Sequence, residues 1–333
     1  MAIGLRQANT SFARRDGCAK VFVTRRSRTP FQAVAPALIV TLVALCTAIA
    51  ARADRTPLKP GINLFSPKDD IEIGGRNART AEAQLPMLND ARVDEYLNAL
   101  GKRLAAHTPG YSFPYQFRCV NDESVNAFAL PGGYIYVDRG VIEAADDEAQ
   151  LAGVLAHEIA HVALRHGTHQ ATKAYWTELP FAAVSSLFDG VSGAVDELGS
   201  GFAVDSILLK YSRGAETQAD VLSTQVLYDS GYDPRALAQF FELVQDETKR
   251  SRRVAFFENH PSSDHRIDRI EHEVDLLGGP TPNYQNDSDE FREIRRALRV
   301  MPAPPAPDRK HKAPVGTTLA SLSVPADPAR PSR

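Results

Sequence analysis

Five consecutive residues, His157-Glu158-Ile159-Ala160-His161, hold the most reactive side chains of the chain. Side chains four apart on a helix share one face, so His157 and His161 present two imidazoles to a single metal ion. Glu158 lies one step round, where its carboxylate reaches a water on that ion. Leu151, Val154, Leu155, Ile159, Val162 and Ala163 make the helix apolar enough for the centre of a domain. Paired histidines buried there without a partner would be costly, which argues against a surface helix. A catalytic zinc needs a third protein ligand and one open position for water. The segment Arg213-Gly-Ala-Glu216-Thr-Gln-Ala219-Asp220 supplies a candidate in Glu216. Asp220, one turn on, is placed to accept a hydrogen bond from the outer nitrogen of a ligand histidine and so fix its tautomer. Ala219 lacks bulk and lets the two helices approach closely. Alone, an acid pair four apart is usually a solvated helix face; joined to the histidine pair it becomes part of a site.

The elements that must position these groups follow from periodicity. Val93, Tyr96, Leu97, Leu100 and Leu104 recur at helical spacing and predict a helix over 91–106. Residues 115–120, 125–130 and 134–137 are short, aromatic and β-branched, and Pro131-Gly132-Gly133 breaks the last two as a turn does. They predict a small antiparallel sheet. From Asp147 the sequence is helical through the histidine pair. Residues 179–209 are apolar but interrupted by acids and glycines, which suits a helical hairpin or lid better than a membrane span. A further helix is expected over 212–229, stopped at Gly231 and restarted after Pro234, with two more over 235–249 and 264–277. Beyond Met301, eight prolines among small and polar residues predict a solvated tail.

The combination resembles the zinc metallopeptidase family that includes HtpX, the CAAX prenyl proteases and the periplasmic peptidases BepA and LoiP, whose signature is H-E-x-x-H followed by E-x-x-A-D. The likeness extends to Asn126–Val137, to Gly231-Tyr-Asp-Pro234, and to His260-Pro-Ser-Ser-Asp-His-Arg266-Ile, an H-P-x-x-x-x-R segment. It covers roughly residues 70–277 in the family's order. The resemblance implies an α+β fold, a mainly helical zincin-like domain over 54–300 with a small antiparallel sheet flanking the active helix. It implies one zinc ion per chain, held by His157, His161 and Glu216. Glu158 would then act as general base toward water and afterwards as acid toward the departing amine. Asn126, Ala127, Phe128 and Ala129 would bind an extended peptide by edge pairing, which reads backbone more than side chains and suits unfolded substrates. His260 corresponds to a histidine that family members place either beside the oxyanion or on the metal as an extra ligand that shuts the site. Arg266 either pairs with an acid near the site or supports its loop. His166, His169, His265 and His272 are expected at the surface, and His107 and His311 lie outside the motifs.

Charge and leader bound the rest. The net charge of −3 conceals a basic start: residues 1–53 carry eight Lys/Arg against Asp16 alone, which leaves −10 on the remainder. So acidic a body is a poor nucleic-acid binder, because general binding of that kind comes from clustered Lys/Arg on phosphates. Phe31–Ala51 is uncharged, follows Arg25, Arg26 and Arg28, and precedes Ala51-Arg52-Ala53, a small-x-small cleavage pattern. It predicts a secretory signal peptide over 1–53 and hence a periplasmic protein; the alternative is a retained anchor at 31–51. Cys119 is then the single cysteine of the mature chain and is expected to be a buried structural thiol on the same strand face as Tyr115 and Phe117. The expected substrates are unfolded or misassembled envelope proteins, with outer-membrane or membrane association possible. A rival reading is a chaperone-like periplasmic binder that uses the same groove, with zinc structural or the site held closed by His260. A membrane-embedded prenyl protease is disfavoured by the single candidate span, a serine hydrolase by the lack of a G-x-S-x-G elbow. No tetratricopeptide-type repeat is found, so recruitment to an outer-membrane assembly machine is not implied.

Overall fold

The computed structural model describes residues 54–178, 211–248, 254–260, 265–279 and 283–302. The leader over 1–53, the hairpin or lid over 179–209 and nearly all of the tail over 301–333 lie outside the described residues. In chain order the elements are α1 (Pro67–Gln84), α2 (Ala91–Ala105), β1 (Gln116–Val120), β2 (Ala127–Leu130), a 3-10 turn at Pro131–Gly133, β3 (Tyr134–Asp138), α3 (Arg139–Ala144), α4 (Glu148–Ala163), α5 (His166–Glu178), α6 (Arg213–Asp229), α7 (Ala236–Thr248), α8 (Phe256–Asn259), α9 (Arg266–Leu276) and α10 (Asp289–Arg299). The fold is α+β and mainly helical.

Helix α4 is the axis of the domain, and every one of its residues is buried. A helix apolar all round can be stable only when surrounded, and α2, α6, α7 and β2 enclose it. Its start is fixed twice. Asp147 caps it by accepting from the Gln150 amide at 2.9 Å, a contact of the kind worth about 1 kcal/mol. The buried Glu148 carboxylate then accepts from the Tyr96 hydroxyl at 3.1 Å, from Arg103 at 3.3 Å, and from the hydroxyls of Tyr232 and Ser288. These partners tie the first turn of α4 to α2 and to the start of α10. Along the far half, α6 packs with Ala219 fully buried, as the absence of bulk there requires.

The three strands form one sheet in the order β1-β3-β2. The β2–β3 hairpin is antiparallel, but β1 runs parallel to β3, so the sheet is mixed rather than purely antiparallel. The chain does reverse between β1 and β2; β3, however, returns between them, and consecutive strands are neighbours in only about two-thirds of cases. The turn at Pro131–Gly133 needs its glycines: Gly132 has φ 79°, and a Cβ there would stand 2.5 Å from Cα of Ile71 on α1. Gly74 of α1 approaches the same turn, where a Cβ would meet the Pro131 carbonyl oxygen at 1.8 Å. Cys119 is buried and shares a face of β1 with Phe117, and burial pushes its thiol far above the usual range. Strand β2 takes the sheet edge beside α4, and among the described residues no strand pairs with its outer side.

Helices α1, α3, α5, α8 and α10 have no counterpart in the sequence reading. In α1 the Gly74-Gly75 pair and the scarcity of large apolar residues hide a helix that Ser66 and Asp69 nevertheless open with a reciprocal capping box. In α10 only Phe291, Ile294 and Leu298 are buried, a narrow stripe on an otherwise charged helix. Among the described residues no helix is long and apolar enough to cross a membrane.

Candidate metal centre

Helices α4 and α6 bring His157, His161 and Glu216 to one point, and the loop after α8 adds His260. All four side chains are buried, with donor atoms within 4.8 Å of one another. The separations are more telling than the grouping. His157 Nε2 lies 3.1 Å from His161 Nε2 and 3.3 Å from His260 Nδ1. Glu216 stands 3.3 Å from His157 Nε2, 3.4 Å from His161 Nε2 and 3.1 Å from His260 Nδ1. A tetrahedral ion with ligands at 2.0–2.1 Å has edges of about 3.3 Å, so these donors have the spacing of a zinc shell. The donor set, imidazole nitrogen with one carboxylate, also suits zinc.

Each imidazole must present a lone pair for that to hold, and the surroundings decide which nitrogen does so. His157 Nδ1 faces the Asp220 carboxylate at 3.3 Å, an acceptor that can hold the Nδ1 proton and so leave Nε2 to an ion that displaces its own contact with Glu216. Arg266 holds Asp220 in turn, with Nε at 2.9 and 3.0 Å and a terminal nitrogen at 2.7 Å. Arg266 also reaches Glu216 at 3.2 Å and lies 4.0 Å from the centroid of the Phe241 ring. Its pairing with acids of the site is therefore real, and Arg269 adds a fourth contact to Asp220 at 3.1 Å. Burial opposes protonation of His157, but Asp220 and Glu216 outweigh it and raise its pKa. Burial likewise opposes ionisation of Glu216, yet hydrogen bonds from His157 and His260 hold its carboxyl far below the usual range.

One expectation is overturned on the His161 side. His166, placed at the surface by the sequence reading, is buried on the first turn of α5, 3.0 Å from His161 across their Nδ1 atoms. The reading failed because α5 begins three residues after α4 ends, and the reversal at Arg165, with φ 57°, folds the next turn back onto the site. The Arg165 guanidinium pins that corner to Asp70 at 2.6 Å. Tyr211, just before α6, stacks on the His161 ring with centroids 3.8 Å apart. It too was missed, because a lone tyrosine ahead of a helix carries no signal. Burial lowers the pKa of His161 well below the usual imidazole value and that of His166 to about 4, so both are neutral. His169, also expected at the surface, is half-buried with Nδ1 2.8 Å from the Ile62 carbonyl, while His265 and His272 are exposed as expected and His107 is exposed.

Glu158 is fully buried, and neither carboxylate oxygen makes a hydrogen bond. Its nearest polar neighbour in the site is His260 Nε2, at 3.3 Å from Oε1. Burial pushes its carboxyl up to about 7. An orphaned carboxylate beside a cluster of metal donors is a group waiting for a water or a proton. The candidate substrate strand is tied to the same corner: Asn126 Oδ1 accepts from Asn259 at 3.3 Å, and the Val125 carbonyl accepts from the Phe256 amide at 3.0 Å. Phe256 stacks on His260 with centroids 4.4 Å apart. Ala127 and Ala129 are buried and Phe128 stacks on Tyr136, so the side chains of β2 serve the core. A small pocket opens between the end of β2 and the centre, lined by Ala129, Leu130, Pro131, His161, Val162 and Tyr211 among others.

Comparison with known proteins agrees with this geometry. The profile of peptidase family M48 matches residues 89–274, more than half of the chain. The beta-barrel assembly-enhancing protease of Escherichia coli K12 is 28% identical over 246 residues, 69% of this chain and 50% of the relative. The mitochondrial metalloendopeptidase OMA1 of Schizosaccharomyces pombe is 33% identical over 181 residues, 53% of this chain and 51% of the relative. Metalloprotease YcaL of E. coli K12 is 30% identical over 179 residues, 51% of this chain and 68% of the relative. The chain spans about half the length of the beta-barrel assembly-enhancing proteases it matches. It belongs to peptidase family M48, a family of metalloproteases.

Proposed function

We propose that this chain is an exported zinc-dependent endopeptidase that hydrolyses misfolded or misassembled cell-envelope proteins, with residues 54–300 as its catalytic domain. The observation that carries the reading is the pairing of a tetrahedrally spaced donor set with an unpartnered buried carboxylate next to it. His157, His161 and Glu216 would hold the ion. A zinc ion there supplies Lewis acidity, acidifying water and polarising a carbonyl. Glu158, held near neutrality by burial, takes a proton from the attacking water and returns it to the departing amine. Asp220 keeps the His157 lone pair aimed inward, and Arg266 keeps Asp220 in place. The free edge of β2 would pair with an extended peptide. Recognition through backbone gives broad selectivity, which fits unfolded clients. The basic leader with its apolar run supports export to the periplasm, and the substrate class follows from that compartment and from the beta-barrel assembly that the bacterial relatives are named for.

His260 supports a second element of the reading. With Nδ1 in the donor set and Nε2 3.3 Å from Glu158, it stands at the fourth position and beside the base without a hydrogen bond to it, an arrangement that would serve as a closed resting state. A binder held permanently shut would look the same. Casein cleavage by purified protein, by Glu158→Gln and by His260→Ala separates the two. The endopeptidase loses about 10²- to 10⁴-fold of its rate in Glu158→Gln with zinc content unchanged, and His260→Ala cleaves faster than wild type. Client binding with no cleavage by wild type or His260→Ala would favour the closed binder.

A further inference from the structure

The outer nitrogen of His161 does not face a carboxylate, as that of His157 does; it faces a third histidine. What that contact does depends on where the protons sit, and the chain of partners settles this from its far end. The Gln218 amide nitrogen donates to the Lys59 carbonyl at 3.2 Å, and a carbonyl can only accept. The orientation of the amide is therefore fixed, with Oε1 turned to His166 Nε2 at 3.1 Å. An amide oxygen also only accepts, so His166 carries its proton on Nε2 and has a lone pair on Nδ1. That lone pair faces His161 Nδ1 at 3.0 Å, which must then be the protonated nitrogen. His161 Nε2 is left with its lone pair toward His157, Glu216 and His260.

We infer that His166 is a positioning residue of the metal centre: it receives a hydrogen-bond direction from Lys59 through Gln218 and fixes His161 in the Nδ1–H tautomer that binds metal. The inference rests on the proposed zinc site, and it adds to that site a neutral arm that starts on the segment preceding α1. Neither His166 nor Gln218 touches substrate or the reacting atoms. Tyr211, stacked on the other side of the ring, limits rotation of His161 but makes no choice between its nitrogens.

The test uses the full chain, metal-depleted, with zinc alone as probe. Two variants separate hydrogen bonding from packing: His166→Asn, whose amide oxygen can stand where Nδ1 stands, and His166→Leu, which fills space without accepting. Zinc affinity by chelator competition should fall about 10- to 100-fold in His166→Leu and stay within a few-fold of wild type in His166→Asn. Long-range 1H–15N correlation of the histidine rings in metal-free wild type should show His161 protonated at Nδ1. Equal zinc affinity in wild type and His166→Leu overturns the inference alone, as does an equal loss in both variants. A wild-type His161 protonated at Nε2 overturns it even if neither variant folds. Wild type that binds no zinc removes the metal site itself, and His166's role with it.

Discussion

The two histidines of the motif sit one turn apart on the same buried helix, yet they are held by opposite means. His157 leans on charge, an Asp220 carboxylate clamped by Arg266 and Arg269. His161 leans on neutral groups, a histidine, a side-chain amide and a backbone carbonyl, with Tyr211 stacked on its ring. The difference shows in their protonation: the pKa of His157 is raised and that of His161 falls well below the usual value. A charged acceptor makes its imidazole more basic and a better donor, at the risk of attracting a competing proton. A neutral acceptor gives direction without that competition. Both arms turn Nε2 toward the same point, and the centre combines them.

The comparison breaks most visibly at its charged arm. Asp220→Ala removes the acceptor of His157 and leaves Arg266 only Glu216 at 3.2 Å in a buried site, where losing one partner of an ion pair costs about 3–5 kcal/mol. Denaturant titration of the metal-free protein should show a loss of that order, together with a zinc affinity lower by about 10- to 100-fold. A stability change below about 1 kcal/mol would mean that Asp220 and Arg266 are not paired as described.

Proton counting sharpens the contrast without breaking it. A raised pKa at His157 means that zinc must displace a proton at pH values where a free imidazole has already lost it. At His161, whose pKa is lowered, no proton is there to displace. Zinc binding in Glu158→Gln, which takes the nearby carboxyl out of the count, should therefore weaken as pH falls below neutrality. Calorimetry in buffers of different ionisation enthalpy should show the His157/His161 pair releasing about one proton rather than two. An affinity independent of pH between 6 and 8, on the order of the whole window in which histidine titrates, would contradict the assignment.

The outermost relay point of the neutral arm should give the smallest effect. Gln218→Leu removes one relay point from a half-exposed position, so stability should change by less than about 1 kcal/mol while zinc affinity drops a few-fold. A loss as large as that of Asp220→Ala would erase the distinction between the arms.

Much of this was legible in the residues. The i, i+4 spacing of His157 and His161 placed both on one face, and Glu216 and Asp220 stand beside that face, as their positions flanking Ala219 allowed. What stayed hidden depends on tertiary reversal. His166 reads as a surface histidine beyond the motif, and only the turn at Arg165 brings it back against His161. The parallel pairing of β1 with β3 follows from which edge of the hairpin β1 joins, a choice no strand pattern encodes. Helix α1 was obscured by Gly74 and Gly75, of which Gly74 is what lets it approach the Pro131 turn.

The central claim is that α4 and α6 bring two imidazoles and one carboxylate onto a single zinc ion. Anomalous diffraction at the zinc edge from crystals of the zinc-loaded chain tests it directly. The account predicts one peak within about 2.0–2.2 Å of His157 Nε2, His161 Nε2 and a Glu216 oxygen. A peak that engages the histidines but leaves Glu216 outside that distance, or no peak at all at this site, would contradict it.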